Sequence, residues 1–327
     1  MRAAFIITGT PAFGSAHPHN GAAHKYGLML GRLCDLHLVP HDSPDLADEL
    51  AAADFVVTAA DRNLHYLRAV EADKPWLLLA NDIATMRDPH YEWARDERRM
   101  FEGAAGIIFA TPHLRAYALR KYRLPLNIVV PLRPPAAWLD FEPMHKLPGT
   151  LVYAGGICRR GMVGTPWGYR CYHDLFAAAI EAGWEMHVYP TRDRIVDNRE
   201  YHALGCHMHL PVPEEHLPQE LSQYEAGLQA FNVEGVPSAS IAYARHAVPN
   251  KTWLYLAAGI PTIGTNRGWA SAEVYEGKWG VVVDPDRFPG PHEVQLPAVD
   301  PTVRSTQVMD ADVPRIGRLL RGGLCDV

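Results

Sequence analysis

Pro249-Asn250-Lys251-Thr252-Trp253-Leu254-Tyr255-Leu256-Ala257-Ala258-Gly259-Ile260-Pro261-Thr262-Ile263-Gly264 is the stretch whose reading sets the fold. Proline at the start costs a helix nothing, because its missing N–H would have no partner in the first turn, and glycine accepts the left-handed geometry that closes a helix. The stretch therefore predicts a helix opened by Pro249 and closed by Gly259, followed at once by a buried strand over Pro261–Gly264. A helix running straight into an apolar strand is the repeating step of a parallel α/β sheet. Asn250 and Lys251 fall in the first turn, at the positive end of the helix dipole. Cations are disfavoured there, so a lysine in that place invites an anion.

The same step repeats on either side. Ala3–Thr8, Leu36–Val39, Phe55–Thr58, Trp76–Ala80, Gly106–Ala110 and Asn127–Val130 are short apolar runs without clean alternation, as expected of parallel strands buried on both faces. Ser43-Pro44, Asp88-Pro89 and Thr111-Pro112 each pair a capping side chain with proline and announce helices between them. A break follows at Pro131, Pro134, Pro135, Pro143 and Pro148. Beyond it strands are expected at Thr150–Tyr153, Glu185–Tyr189, Cys206–Leu210, Ala226–Phe231, Pro261–Gly264 and Gly280–Asp284, with helices near Tyr172–Ala182, Pro218–Tyr224 and Pro249–Ala258. A second proline-rich stretch, 285–301, precedes a last helix near Val313–Leu320 with Ile316, Leu319 and Leu320 on one face.

These patterns predict an α/β protein of two Rossmann-like, doubly wound domains facing a cleft. The expected division is an N-terminal domain at 1–135, a linker at 136–148, a C-terminal domain at 149–295 and a tail with its helix at 296–327, packed back on one of the domains. A length of 327 residues agrees, since it exceeds what a single core fills.

Composition excludes several classes. With 48% hydrophobic and 21% charged residues the chain is neither disordered nor fibrous, and no apolar run approaches the ~18 residues of a membrane span. Five cysteines at scattered spacings, none in a C-x-x-C pair, speak against a disulfide framework or a thiolate zinc site; the expectation is a soluble, cytoplasmic protein. Lys and Arg number 31 against 37 Asp and Glu, and the deficit lies wholly beyond Pro135, where 16 face 22, while 15 face 15 before it. Non-specific nucleic-acid binding needs a basic excess that is missing overall. Arg95, Arg98, Arg99, Arg115, Arg120, Lys121 and Arg123 nonetheless form local basic clusters in the neutral half.

Ligands bind doubly wound sheets beyond the carboxyl ends of the strands. There the loop Tyr153-Ala154-Gly155-Gly156-Ile157-Cys158-Arg159-Arg160-Gly161 offers bare backbone and two guanidiniums, a combination suited to phosphate. Together with Pro249–Gly264, the run Gly280–Asp284 and the segment Leu210-Pro211-Val212-Pro213, this loop resembles the donor-binding half of nucleotide-sugar glycosyltransferases of the GT-B fold, the glycogen-synthase-like group above all. The resemblance extends over most of 150–285, whereas the N-terminal half matches in architecture alone. It implies transfer of a sugar from a nucleotide-diphosphate donor, a UDP-sugar foremost, to an acceptor hydroxyl, with no obligatory metal or cofactor. It assigns Lys251 to the donor diphosphate, with Asn250 and Tyr255 in the same helix, Gly155 and Gly156 to close backbone approach, Arg159 or Arg160 to phosphate charge, and Val212 to backbone contacts with the base. Relatives with an N-K-x-x-E-Y form bind ribose through that Glu; here the position is Leu254, and Glu234 is the nearest loop carboxylate to stand in.

In the N-terminal half, Asp82 directly after the fourth strand is the first choice for the catalytic or acceptor-orienting carboxylate, with His17 and His19 next and Asp61 read as a cap. Cys206-His207-Met208-His209 sets two histidines on one strand face without an adjacent carboxylate, and no metal is expected there. The acceptor stays open between a saccharide, a small molecule and a hydroxymethylated DNA base. Two other functions are weighed: a nucleotide-sugar 2-epimerase, for which no paired carboxylates are found, and a nucleotide-binding protein without turnover, for which Leu254 argues.

Overall fold

The computed structural model describes residues 1–7, 21–59, 63–88, 90, 94–191 and 195–324. The chain divides into two compact units, one reaching to Pro135 and resuming at Val308, the other spanning Ala136–Gln307. Among the described residues the first unit holds β1 (Arg2–Ile7), β2 (Asp35–Pro40), β3 (Phe55–Ala59), β4 (Trp76–Ala80), β5 (Gly106–Phe109) and β6 (Asn127–Val129), in a parallel sheet of order β2-β1-β3-β4-β5-β6. The second holds β7 (Leu147–Gly155), β8 (Glu185–Pro190), β9 (His207–Met208), β10 (Tyr224–Gln229), β11 (Thr262–Gly264) and β12 (Gly280–Val282), again all parallel, in the order β12-β11-β10-β7-β8-β9. The α/β, doubly wound architecture read from the sequence is thus present in both halves. In the second sheet the chain steps outward from β7 to β9 and then returns to β7's other side. That reversal makes the carboxyl ends of β7 and β10 the switch point of the sheet.

Helix starts follow local chemistry, with two corrections. Thr111 caps the helix Pro112–Lys121 as its sequence predicts, its hydroxyl accepting from the Leu114 N–H at 3.0 Å. Asp88 instead ends the short helix Ala84–Arg87 and accepts from the His90 N–H at 3.0 Å; the described helix after it begins only at Ala94. Ser43 likewise accepts from the Asp45 N–H at 3.2 Å in a turn, and the helix opens later, at Leu46. The strand expected at Cys206–Leu210 shrinks to β9, because the prolines that follow Leu210 have no N–H to extend pairing at a sheet edge, and Leu210 itself stands exposed.

Residues 136–148 are held as well as connecting. Trp138 is buried with Val152, Tyr189 and Leu254 in the core of the second unit, and the Arg304 guanidinium donates to the Leu139 and Ala257 carbonyls. The last helix, Val313–Leu324, buries Ile316, Leu319 and Leu320, the face its sequence marks, and contacts β5 and β6 of the first unit. Among the described residues no helix is long and apolar enough to cross a membrane.

The helix Asn250–Ala258 ends, as read, on Gly259 in the left-handed region at φ 70°. All but its first residue are buried. It is pinned to the sheet through Tyr255, whose hydroxyl donates to the Leu228 carbonyl at 3.0 Å and accepts from the Ala154 N–H at 3.1 Å. The ring lies directly on Gly227, where a Cβ would stand 2.4–2.5 Å from ring carbons. Gly227→Ala therefore overpacks this contact and should lower the unfolding free energy by about 1–3 kcal/mol in urea titration. An unchanged midpoint would mean that the helix can back away from the sheet.

Candidate anion-binding site

At the end of β7 the backbone turns through Gly155 at φ 149°, a conformation open to glycine but strained for other residues. The space in front of the glycines is filled by cations. A Cβ on Gly155 would lie 3.1 Å from Lys251 Cε, and one on Gly156 would lie 3.2 Å from a terminal nitrogen of Arg170. Lys251 reaches this place from the first turn of its helix. Arg170 arrives by a fold-back of the chain: its carbonyl accepts from the Cys158 N–H at 3.0 Å, and Gly168 permits a backbone approach to Val163 that any side chain would block.

Lys251 is only 7% exposed. Its ammonium donates to the Tyr153 hydroxyl at 2.9 Å and sits 4.2 Å from the centre of that ring. The same hydroxyl donates to the Gly156 carbonyl at 2.9 Å and so braces the glycine turn. Arg170 lies over the rings of Trp167 and Tyr169 at 5.0 and 5.2 Å. Among the described residues neither cation has a carboxylate within ion-pair distance. Burial, with Arg170 beside it, pushes the Lys251 amine down to about 7.

Two orphan polar atoms stand at the same end of the sheet. Asn250 Oδ1, in the turn that carries Lys251, and Gln229 Nε2, at the end of β10, are buried without a hydrogen-bond partner. A buried polar atom without a partner calls for an explanation, and a bound ligand is one. A buried lysine and a half-buried arginine, with a helix N-terminus, glycine backbone and unpaired polar atoms, together suit a multiply charged anion.

The structure brings Gly155, Gly156, Asn250, Lys251 and Tyr255 together, though Tyr255 has both hydroxyl bonds committed to the backbone. It sets the other named residues apart. Arg160 is exposed, pairing with Asp174 at 2.8 Å while its N–H is bound by Glu200, and Arg159 is exposed as well. The guanidinium beside the glycines is that of Arg170, which lies in a segment without periodicity and carries no sequence signal. Val212 packs against the cluster that contains Leu254 and Tyr255; Leu254 is buried there among apolar side chains, and Glu234 is exposed. In the first unit Asp82 is buried after β4 and its carboxylate pairs with Arg87. His17, His19 and Asp61 lie outside the described residues. One expectation is overturned: a carboxylate does lie beside His207, because parallel pairing of β8 with β9 sets Glu185 3.3 Å from its Nε2.

The sheets define the class: the two-domain α/β architecture called GT-B. Solved structures sharing it include Anabaena Alr3699/HepE in complex with UDP-glucose, at TM-score 0.60 and 12% identity over 100% of both chains. AviGT4, a glycosyltransferase involved in avilamycin A biosynthesis, matches at TM-score 0.59 and 13% identity over 100% of this chain and 98% of its own. A DNA-modifying β-glucosyltransferase, solved with and without its substrate uridine diphosphoglucose, matches at TM-score 0.53 and 12% identity over 100% and 98%. Neither a scan of protein-family models nor a search of curated proteins finds a match.

The low Lys251 value makes anion binding pH-dependent. Between about 7 and 10.5 the unfolded chain holds a proton that the empty native site has lost, so the unliganded protein should gain stability as pH rises through this window. An anion prefers the protonated site, so its affinity should fall as pH rises above about 7. Sulfate, whose charge is constant here, should raise the melting temperature at pH 6 far more than at pH 9, against matched chloride. The difference should vanish in Lys251→Met; an equal sulfate effect at both pH values would remove Lys251 from the site.

Proposed function

We propose that the chain is a nucleotide-sugar glycosyltransferase whose Ala136–Gln307 unit holds the diphosphate of a UDP-sugar against Gly155 and Gly156. The observation that carries this reading is the pair of cations, the buried Lys251 and the half-buried Arg170, at the switch point of the sheet with no described carboxylate to neutralise them. Breaking the bond between sugar and diphosphate moves negative charge onto the leaving phosphate. Cations fixed in a desolvated place stabilise that charge without reorganising, which is where catalysis gains most. They also fill the role that a divalent ion plays in other transferases. The fold neighbours solved with UDP-glucose or UDP support the choice of donor.

Ribose must be read by something other than position 254, since Leu254 is committed to the core; Glu234 is exposed and available for the task. On the acceptor side, Arg98 pairs with Glu102, Arg115 with Asn127 and Lys121 with Glu97. Arg99, Arg120 and Arg123 stay exposed, but residues 1–135 balance 15 basic against 15 acidic side chains and so lack the basic excess that DNA phosphates call for, which favours a neutral saccharide or small-molecule hydroxyl. No disulfide joins the four described cysteines, which supports a reducing, cytoplasmic setting.

Purified protein given a panel of UDP-, GDP- and ADP-sugars should release free nucleotide from a UDP-sugar, and release should rise with a saccharide acceptor more than with hydroxymethylated DNA. Lys251→Ala and Arg170→Ala should each lower turnover by about 10²–10³-fold, the usual worth of one stabilising donor to a developing anion. Wild-type turnover in Lys251→Ala would show that the donor sits elsewhere. Epimerised donor in place of transferred sugar, or tight UDP binding without release, would replace the reading with one of its alternatives.

A further inference from the structure

A second constellation lies upstream on the same sheet. Glu185, His187 and Tyr189 alternate along one face of β8, and His207 of β9 stands directly opposite His187. Glu185 Oε1 is 3.2 Å from His187 Nε2 and 3.3 Å from His207 Nε2, and the three ligand atoms all lie within 4.8 Å of one another. A tetrahedral ion with bonds of 2.0–2.1 Å to nitrogen and oxygen sets its ligand atoms about 3.3 Å apart. The carboxylate is already at that spacing from both imidazoles.

The ring behind the cluster is ordered to support it. His187 Nδ1 meets His209 Nε2 at 2.9 Å, His209 stacks flat on Tyr189 at 4.3 Å, and the Tyr189 and Tyr224 hydroxyls are bonded at 2.9 Å. An imidazole that binds metal through Nε2 carries its proton on Nδ1 and needs an acceptor there, which His209 supplies. His187 is buried, while Glu185 and His207 are exposed, leaving solvent a path to the remaining coordination position.

We propose that Glu185, His187 and His207 bind one divalent transition-metal ion of the zinc class, with His209 as the residue that orients His187. Two imidazoles and one carboxylate select such an ion over magnesium or calcium, which prefer oxygen alone. The site is separate from the anion site, because His187 pairs with Val152 whereas Gly155 pairs with Pro190, about 10 Å further along the strand. It joins the edge strand β9 to its neighbour β8. β9 is a two-residue edge strand with little pairing of its own, and the ion would tie it to β8.

Chelator-treated full-length protein should bind one equivalent of Zn²⁺ in calorimetry, with a melting temperature raised by several degrees. Co²⁺ should give the intense visible bands of a tetrahedral site and no near-ultraviolet thiolate band. Glu185→Gln and His207→Ala should each weaken binding at least tenfold, and His209→Ala by about 10–100-fold. All three should keep the sulfate response of Lys251, which shows that the second unit is folded. Absence of saturable binding at micromolar metal, or undiminished binding in Glu185→Gln/His207→Ala, overturns the proposal. So does a thiolate band, which would make Cys206 a ligand.

Discussion

A helix can approach a sheet only as closely as its side chains allow, and here one tyrosine over one glycine sets that distance. Tyr255 lies on Gly227 and spends its hydroxyl on the backbones of β7 and β10. Lys251 is four residues earlier, hence one turn up on the same face. The contact that seats the helix therefore also delivers the ammonium to the end of β7. The packing of the second unit and the position of its charge are one constraint.

That charge is kept rather than quenched. Lys251 and Arg170 repel one another in a place poor in water, an arrangement that costs stability. Aromatic faces relieve part of it: Tyr153 under the ammonium, Trp167 and Tyr169 under the guanidinium. A ring attracts a cation without cancelling its charge. The aromatic lining thus lets Lys251 be buried and Arg170 partly so while the site stays positive, which a carboxylate partner would not do.

The parts of the molecule legible in the sequence are those with a local cause. Pro249 and Gly259 bracket their helix, Thr111 caps another, and the apolar runs of β1, β3, β4 and β5 mark strands buried on both faces, while β2 and β6, at the edges of the sheet, are only partly buried. Lys251 could be singled out because a cation in a first turn conflicts with the dipole. Residues brought in by chain reversal could not. Arg170 returns to the glycines through a loop whose shape depends on Gly168 and on tyrosine packing, and nothing near it in sequence points to phosphate. Glu185 beside His207 needs the register of β8 against β9, which short runs do not specify. The helices Gly21–Leu30 and Ser238–His246, with weak apolar stripes, were equally silent.

The return of the chain at Val308 also bears on the order in which the protein can be made. The first unit's sheet is complete by β6, but the helix that covers β5 and β6 is translated only after all of Ala136–Gln307. During synthesis, Gly106 at the start of β5 waits for Leu319, which packs beside it, while an entire second unit emerges. That unit needs nothing beyond Gln307 and can fold first, against the usual amino-to-carboxyl order. The early half of this chain is thus the later one to mature, and in the interval its open sheet face is the surface that a nascent-chain chaperone would meet.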